Sequence, residues 1–366
     1  MSSQMEHNSK NSQIRPVFTF CIPAYNASAF IERSVGSIIA DLGENREIAE
    51  ILIIENGSTD NTTEVAEGLQ RANPELIRCL HSEKGPSCAR NAGIRQARGK
   101  YIVFVDADDL WINGSVSLMR KLVRKFKADL YCFGFETDAF VQDHGIPGKC
   151  IYDSTPAEVE RRRAWILSAP LKRAQVWAKA FRTQVIRDNQ IWFDESIRYC
   201  EDAEFTIRFG KCAGSVVVCG KPVYHYSYSP GSLMRGYDEN RIQSYLYAMR
   251  ASEQVLQGES KVITDAFREY VLCHLNLLLV RNVFNRSIEV PERERWDMMR
   301  RICEEDIFRR ALDGMSLRQC LSLQMTPELL MKLGMTRAAG AVCAAKAGLN
   351  DYREKKAEKR RTMLNS

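Results

Sequence analysis

No stretch of this sequence is apolar for long enough to cross a membrane. The strongest late candidate, Val271 to Val280, is broken by Cys273, His274 and Asn276, far short of the ~20 residues a helical span needs. The first fifteen residues are polar and hold no apolar signal-peptide core, so they read as a disordered leader. The 12 cysteines form no CxxC pair and no evenly spaced framework, a pattern that fits reduced, buried thiols. A cytoplasmic protein is expected. There is no internal repeat and no low-complexity segment.

Charge of either sign is also not in excess. The 52 Lys and Arg against 46 Asp and Glu leave +6, compatible with an ordinary solvated surface or with attraction to phosphates or an anionic membrane. A dense basic face or a nucleic-acid reading motif is missing, which excludes nucleic acid as the partner. With 366 residues and 45% hydrophobic content, the chain can bury a sizeable core, most simply one large domain with an appendage.

Short apolar runs alternate with amphipathic stretches through the first hundred residues. Val17–Ile22, Ile51–Ile54, Ile77–Leu80 and Tyr101–Val105 read as buried strands. Ala27–Ala40, Thr62–Arg71 and Ser87–Ala97 read as helices,. That alternation predicts an α/β fold with a mostly parallel sheet covered on both faces. Ligands bind beyond the carboxyl ends of such strands. The middle of the chain is mixed, with short strands expected at Leu130–Gly134, Val176–Phe181, Ser215–Cys219 and Tyr224–Tyr228, then a loop at Ser229–Ser232. From about Asn240 onward the pattern is helical, ending in a basic tail, Arg353–Arg361.

The densest chemistry is Asp106-Ala107-Asp108-Asp109, at the end of an apolar strand. Three carboxylates in four residues repel one another unless a cation or hydrogen bonds compensate. A hard divalent ion, completing its shell with water and substrate phosphates, suits them. The alternative is a helix N-cap in which Asp109 favours the helix dipole.

Four motifs in order resemble glycosyltransferase family 2. They are Phe20-Cys-Ile-Pro-Ala-Tyr-Asn26, Ile53-Ile-Glu-Asn-Gly-Ser-Thr-Asp60, Gly85-Pro-Ser-Cys-Ala-Arg-Asn-Ala-Gly93 and the DxD at Asp106-Ala107-Asp108. The resemblance covers about residues 17 to 230. It implies a GT-A fold, Rossmann-like, with an α-helical C-terminal region. The implied boundaries are a catalytic domain at 16–235, its nucleotide-sugar half at about 16–110 and its acceptor half at about 111–235, and a helical region at 236–366. It also implies roles. Pro23, Ala24 and Tyr25 wall the nucleotide base; Glu55, where the family usually has Asp, contacts base or ribose, or else caps the turn that follows it. Arg90 pairs with the diphosphate or orients the base, Asp106 touches the ribose or a metal-bound water, and Asp108 binds Mn²⁺ or Mg²⁺. Downstream, Trp177-Ala-Lys179 and the acidic pair Glu201-Asp202 resemble the family's acceptor half, with Asp202 as general base and Glu201 as second candidate. His225, between aromatics, is either an ordinary strand histidine or a contact to the diphosphate or metal.

The activity implied is inverting transfer of a single sugar from a nucleotide-sugar, with a UDP-sugar as the leading donor, to a hydroxyl of a glycan or lipid-linked acceptor in surface polysaccharide or glycolipid synthesis. Two alternatives are a catalytically silent nucleotide-sugar-binding protein and a nucleotidyltransferase. The first would lack the acids that are present here; the second would want a Gly-rich basic loop in place of Pro23-Ala-Tyr-Asn26. Glu292-Arg-Glu-Arg-Trp296 superficially resembles the QxxRW motif of processive synthases, but has Glu first and no adjacent membrane spans; it reads as a solvated helix. A face of Leu272, Leu275, Leu279 and Val283, with Leu278 beside it, is expected to pack against the catalytic domain,. The alternative joins that region to the basic tail in peripheral contact with an anionic membrane, at the inner face.

Overall fold

The computed structural model describes residues 15–137, 140–227, 238, 240–286, 289–315 and 325–364. Nearly all of the expected leader, the end of the strand expected at Tyr224–Tyr228 and the loop at Ser229–Ser232 lie outside the described residues.

The first half is built by short-range rules. Strand β1 (Phe18–Ala24) is followed by helix α1 (Ile31–Leu42), β2 (Ala49–Glu55) by α2 (Thr62–Ala72), and β3 (Ile77–His81) by α3 (Pro86–Gln96) and β4 (Tyr101–Phe104). All four strands pair in parallel, β1 lying between β2 and β4 and β2 between β1 and β3. A parallel strand needs a crossover, and each helix supplies one. Strand β2 is buried along its whole length, as a sheet covered on both faces requires. Gly93 lets α3 lie close on β1, because a Cβ there would stand 2.2 Å from Cys21 Sγ.

The second half is mixed. It comprises β5 (Leu110–Trp111), α4 (Ser115–Phe126), β6 (Leu130–Glu136), β7 (Val141–Gln142), β8 (Cys150–Asp153), α5 (Pro156–Leu167), α6 (Pro170–Arg173), β9 (Lys179–Arg182), α7 (Thr183–Asp188), α8 (Glu201–Cys212) and β10 (Val216–His225). The sheet runs β3-β2-β1-β4-β9-β6-β10-β5. Strand β9 enters antiparallel between β4 and β6, so the parallel expectation holds for the first half and gives way beyond β4. The two strands expected at 215–219 and 224–228 are one: β10 runs through Gly220–Val223 with register shifts against β6. Gly220 reads as a breaker, yet it is required because a Cβ there would meet Ile146 O at 2.1 Å. Cys150 and Cys219, partners across β8 and β10, bring their Sγ atoms to 2.7 Å.

From Arg241 onward every described element is helical: α9 (Arg241–Val255), α10 (Lys261–Leu278) with a π-turn at Leu279–Val283, α11 (Glu292–Glu304), α12 (Asp306–Asp313), α13 (Thr326–Lys332) and α14 (Thr336–Leu364). The expected apolar face is buried, with Leu272, Leu275, Leu278, Leu279 and Val283 all at 0% exposure. It belongs to the same core cluster as Phe104, Phe181 and Phe205, and α10 packs against α5. The helices therefore complete a core shared with the second half of the sheet. The Glu292–Trp296 segment is not simply solvated. Arg295 donates to Val283 O at 2.6 Å and Asn285 O at 2.9 Å, capping the π-turn, and the Trp296 ring lies against Gly340. The basic tail continues α14; of its side chains only Lys355, exposed, is described. No described helix is long and apolar enough to cross a membrane.

Candidate active site

The carboxyl ends of β1, β2 and β4 place three loops side by side. Two of them hold each other. Asn26, in the left-handed region at φ 48°, accepts from Thr59 N at 2.8 Å and donates its own N–H to Ser58 Oγ at 3.1 Å. Asp60 accepts from Ser28 Oγ and Thr62 N, and Thr62 Oγ1 in turn accepts from Ala27 N. Burial raises Asp60, but these hydrogen bonds outweigh it and bring its pKa down to about 2,. Pro23 and Ala24 end β1, and Tyr25 stands exposed at the rim with the Lys84 ammonium 4.7 Å above its ring.

Glu55 ends β2 and is 6% exposed. Its Oε1 accepts from Ser58 N at 2.6 Å and its Oε2 lies 3.2 Å from His81 Nδ1. Both oxygens are engaged by the protein, and Glu55 caps the turn that follows it. The extra methylene, relative to Asp, lets the carboxylate curl back onto Ser58.

The three acids of the DxDD segment are separated by their partners. Asp109 is 1% exposed; it accepts from Tyr224 Oη at 2.7 Å and Ser227 N at 2.7 Å. Burial, reinforced by the charge of Asp106, raises its pKa to about 9. It caps no helix, since β5 follows it, and it is the stitch that holds β10 to the loop. Asp106 ion-pairs with Arg90 at 3.3 Å. Asp108 makes no side-chain hydrogen bond or ion pair among the described residues. Tyr224 is central, since it also accepts from Asp106 N at 3.0 Å; sequence reasoning passed it over because nothing local marks it.

Arg90 is the hub. Its side chain is 6% exposed, and it reaches Asp106 at 3.3 Å, Glu201 at 3.0 Å and Asp202 at 3.0 Å. The expectation that it pairs with a diphosphate meets a different arrangement: the guanidinium is already held by three carboxylates. Its neighbour Asn91 was also overlooked. Asn91 accepts from Phe193 N and donates to Phe193 O and to Glu195, each within 2.8 to 2.9 Å. This clamp sets the segment that leads into α8, where Glu201 and Asp202 begin. Cys200, just before them, has φ 69°, a strained cap of the kind found at functional sites. Glu201 is raised to about 7, first by burial and then by the charge of Asp202. Asp202 Oδ2 also accepts from Val176 N at 3.3 Å, and its side chain is more exposed than that of Glu201, 23% against 14%.

His225 lies opposite Leu110, next to the DxDD segment. Its Nδ1 is 3.4 Å from Glu136 Oε1. Among the described residues no three His, Cys, Asp or Glu side chains converge as a metal site, so His225 joins no ready-made ligand set with Asp106 and Asp108. Trp177 stacks on Tyr224 at 4.9 Å and Tyr226 at 5.5 Å, which places it between the DxDD stitch and the Val176 N–H that holds Asp202.

A strand-end DxD and a helix-start acid pair, linked through one arginine, agree with what the sequence motifs match. Residues 19–172 fit the family model described as Glycosyl transferase family 2. The matched segment carries that family's domain. It is 27% identical over 226 residues to the uncharacterized glycosyltransferase EpsJ of Bacillus subtilis, a match covering 60% of this chain and 63% of that protein. It is 24% identical over 211 residues to the poly(ribitol-phosphate) beta-N-acetylglucosaminyltransferase TarS of Staphylococcus aureus, covering 57% of this chain and 35% of TarS. The chain thus spans under two thirds of the length of these relatives. The structure of TarS 1–349 in complex with UDP-GlcNAc superposes with a TM-score of 0.61 at 19% identity, covering 92% of each chain. The mannosyltransferase PcManGT from Pyrobaculum calidifontis, in complex with GDP-Man and Mn²⁺, does so with 0.52 at 15%, covering 91% of this chain and 87% of that one. The fold is GT-A, with C-terminal helices, as in those structures.

Proposed function

We propose that this protein is an inverting, non-processive glycosyltransferase that moves one sugar from a nucleotide-sugar to a hydroxyl of a glycan or lipid-linked acceptor, in surface polysaccharide or glycolipid synthesis at the cytoplasmic membrane face. The observation that carries this reading is Arg90. One buried guanidinium joins Asp106, on the donor side, to Glu201 and Asp202, on the acceptor side, so both halves of a displacement meet within one side chain's reach. The UDP-GlcNAc bound by TarS supports a UDP-sugar as donor.

The residues fit a hard divalent ion. Magnesium and manganese are commonly held by one or two carboxylates with substrate phosphates completing the shell, and Asp108 presents a carboxylate that has no partner among the described residues, beside Asp106. The Mn²⁺ in the PcManGT complex supports the same choice. Asp108 would hold the ion, with Asp106 next to it, and the ion when bound supplies charge neutralisation for the departing nucleotide diphosphate. The chain's own residues do the rest. Tyr25 and the Asn26–Asp60 loops wall the nucleotide. Arg90 and Val176 N–H fix the Asp202 carboxylate, which takes the proton from the acceptor hydroxyl as that oxygen attacks the anomeric carbon from the face opposite the leaving group. A positioned base of this kind contributes roughly 10²–10⁴-fold. Configuration inverts, with no covalent enzyme intermediate.

The test is a panel of UDP-, GDP- and dTDP-sugars with Mn²⁺, read by slow donor hydrolysis and by thermal shift. Chelation should abolish turnover and Mn²⁺ or Mg²⁺ should restore it; Asp108→Ala should abolish it with the melting temperature preserved. Full activity in chelator would remove the metal, and no response to any nucleotide-sugar would remove the function.

A further inference from the structure

The reaction above leaves one pair of nucleophilic side chains unused. Cys150 on β8 and Cys219 on β10 stand directly opposite each other in antiparallel register. Gly220 N donates to Lys149 O at 2.9 Å, one step outside the pair. In an antiparallel ladder this puts the two cysteines at a non-hydrogen-bonded position. There the Cα atoms come closest, to about 4.5 Å, and the side chains share one face. A disulfide spans Cα separations of about 4.4–6.8 Å. The two Sγ atoms are in contact, and both cysteines are free thiols.

Packing on either side holds the strands in this register. Tyr152, two residues after Cys150 and on the same face of β8, has its ring 5.0 Å from that of Phe126 on α4. Gly220, next to Cys219, has no room for a side chain against Ile146 O and Asp143 O, so the segment leading into β8 closes on the backbone of β10. The two thiols differ in access: Cys150 is exposed, and Cys219 is buried at 0%. Burial, and then the thiol beside it, raise Cys150 to about 12, so it is not activated as a lone nucleophile. What sets it apart is a second thiol held in contact, since a positioned partner reacts as if at very high concentration.

We propose that Cys150 and Cys219 form a reversible disulfide site, closed by exchange with a small-molecule disulfide and reopened by small thiols. The Cys150 thiolate, the one solvent reaches, attacks a sulfur of a small disulfide such as oxidised glutathione. A new S–S bond forms at Cys150, the small disulfide's own S–S bond breaks, and one small thiolate leaves. The Cys219 thiolate then attacks Cys150 Sγ and expels the second small thiolate. The two protein thiols are oxidised to one disulfide, the small disulfide is reduced to two thiols, and the protons of Cys150 and Cys219 pass to them. Excess small thiol reverses each step, entering at the exposed sulfur. The bond fastens β8, which pairs with β10 off the main path of the sheet, and ties the 143–149 segment to the strand that ends in Tyr224 and His225. None of this depends on which reaction the protein catalyses.

Incubation of the full chain with oxidised glutathione, then alkylation and peptide mapping by mass spectrometry, tests the site. The expected result is a peptide pair joined through Cys150 and Cys219 and separated by dithiothreitol. Cys219→Ala should instead keep glutathione on Cys150, and Cys150→Ser should abolish the link. Because a thiolate attacks, the link should form faster as the pH is raised. The two cysteines are 69 positions apart, and closing so long a loop restricts the unfolded chain, so the linked protein should melt several degrees above the reduced one. A wild type that forms no linked peptide, or that keeps glutathione on Cys150 as exposure alone would give at Cys212, overturns the proposal. A link from Cys150 to a different cysteine, or a linked protein that melts below the reduced one, overturns it as well.

Discussion

The two halves of the site, which the proposed reading assigns to donor and acceptor, handle their polar groups differently. In the donor half the loop groups are answered at close range: Asn26 by Ser58 and Thr59, Asp60 by Ser28 and Thr62, Glu55 by Ser58 and His81. What stays available is what a nucleotide and its metal would use, the Tyr25 ring and the Asp108 carboxylate. In the other half the groups are charged and come from distant elements: Arg90 of α3 meets Glu201 and Asp202 at the start of α8. The first frame is built from neighbouring loops, the second from segments far apart in the chain.

Arg90→Met is the sharpest way to break this division, because Arg90 belongs to both halves. Removing it leaves Asp106, Glu201 and Asp202 without their shared cation. Breaking a buried ion pair from one side costs about 3–5 kcal/mol; denaturant unfolding should show a loss of that order, and transfer should fall to background. A stable Arg90→Met that still turns over would dissolve the link between the halves.

A smaller change separates the two acids of α8. Asp202→Asn keeps shape but cannot take a proton, so kcat should fall at least ~10²-fold with donor affinity little changed. Glu201→Gln should cost less, because Glu201 already leans toward its protonated form, with a pKa raised to about 7. If the order of the two losses reverses, the base is Glu201.

Within the donor frame, Gly93→Ala drives a Cβ against Cys21 Sγ. Overpacking of this kind costs about 1–3 kcal/mol, measurable as a lowered melting temperature. The smallest effect is expected at Asp60. Its folded pKa, about 2, lies below its ordinary 3.8. The stability it adds is therefore complete above pH about 4 and lost as pH falls toward 2, worth about 1 kcal/mol after solvent screening. Asp60→Asn should flatten that part of the acid-unfolding curve; an unchanged curve would mean that the loop clamp is not held by this carboxylate.

The donor half was legible because its rules are local. An apolar run, a turn residue and an amphipathic helix follow one another in the chain, and the ends of β1, β2 and β4 put Pro23, Glu55 and Asp106 on one edge. Strand β10 was read as two pieces because Gly220-Lys221-Pro222 is written like a loop; only the packing of Ile146 on Gly220 shows that the strand passes through. Asp109 looked like one more ligand or a cap, since sequence cannot show that Tyr224, 115 residues later, hydrogen-bonds it.

By itself the sequence determined the alternating α/β frame, the family resemblance, and which acids stand at strand and helix ends, because period, punctuation and motif order are properties of neighbouring residues. The tertiary structure alone decided how those acids differ. It gave Asp109 to Tyr224, Asp106 and the α8 pair to Arg90, and Glu55 to its own turn, and among the described residues it left the Asp108 side chain without a hydrogen bond or ion pair. Charge and burial are set by what distant segments bring alongside, and a carboxylate or an ammonium takes its role from that company.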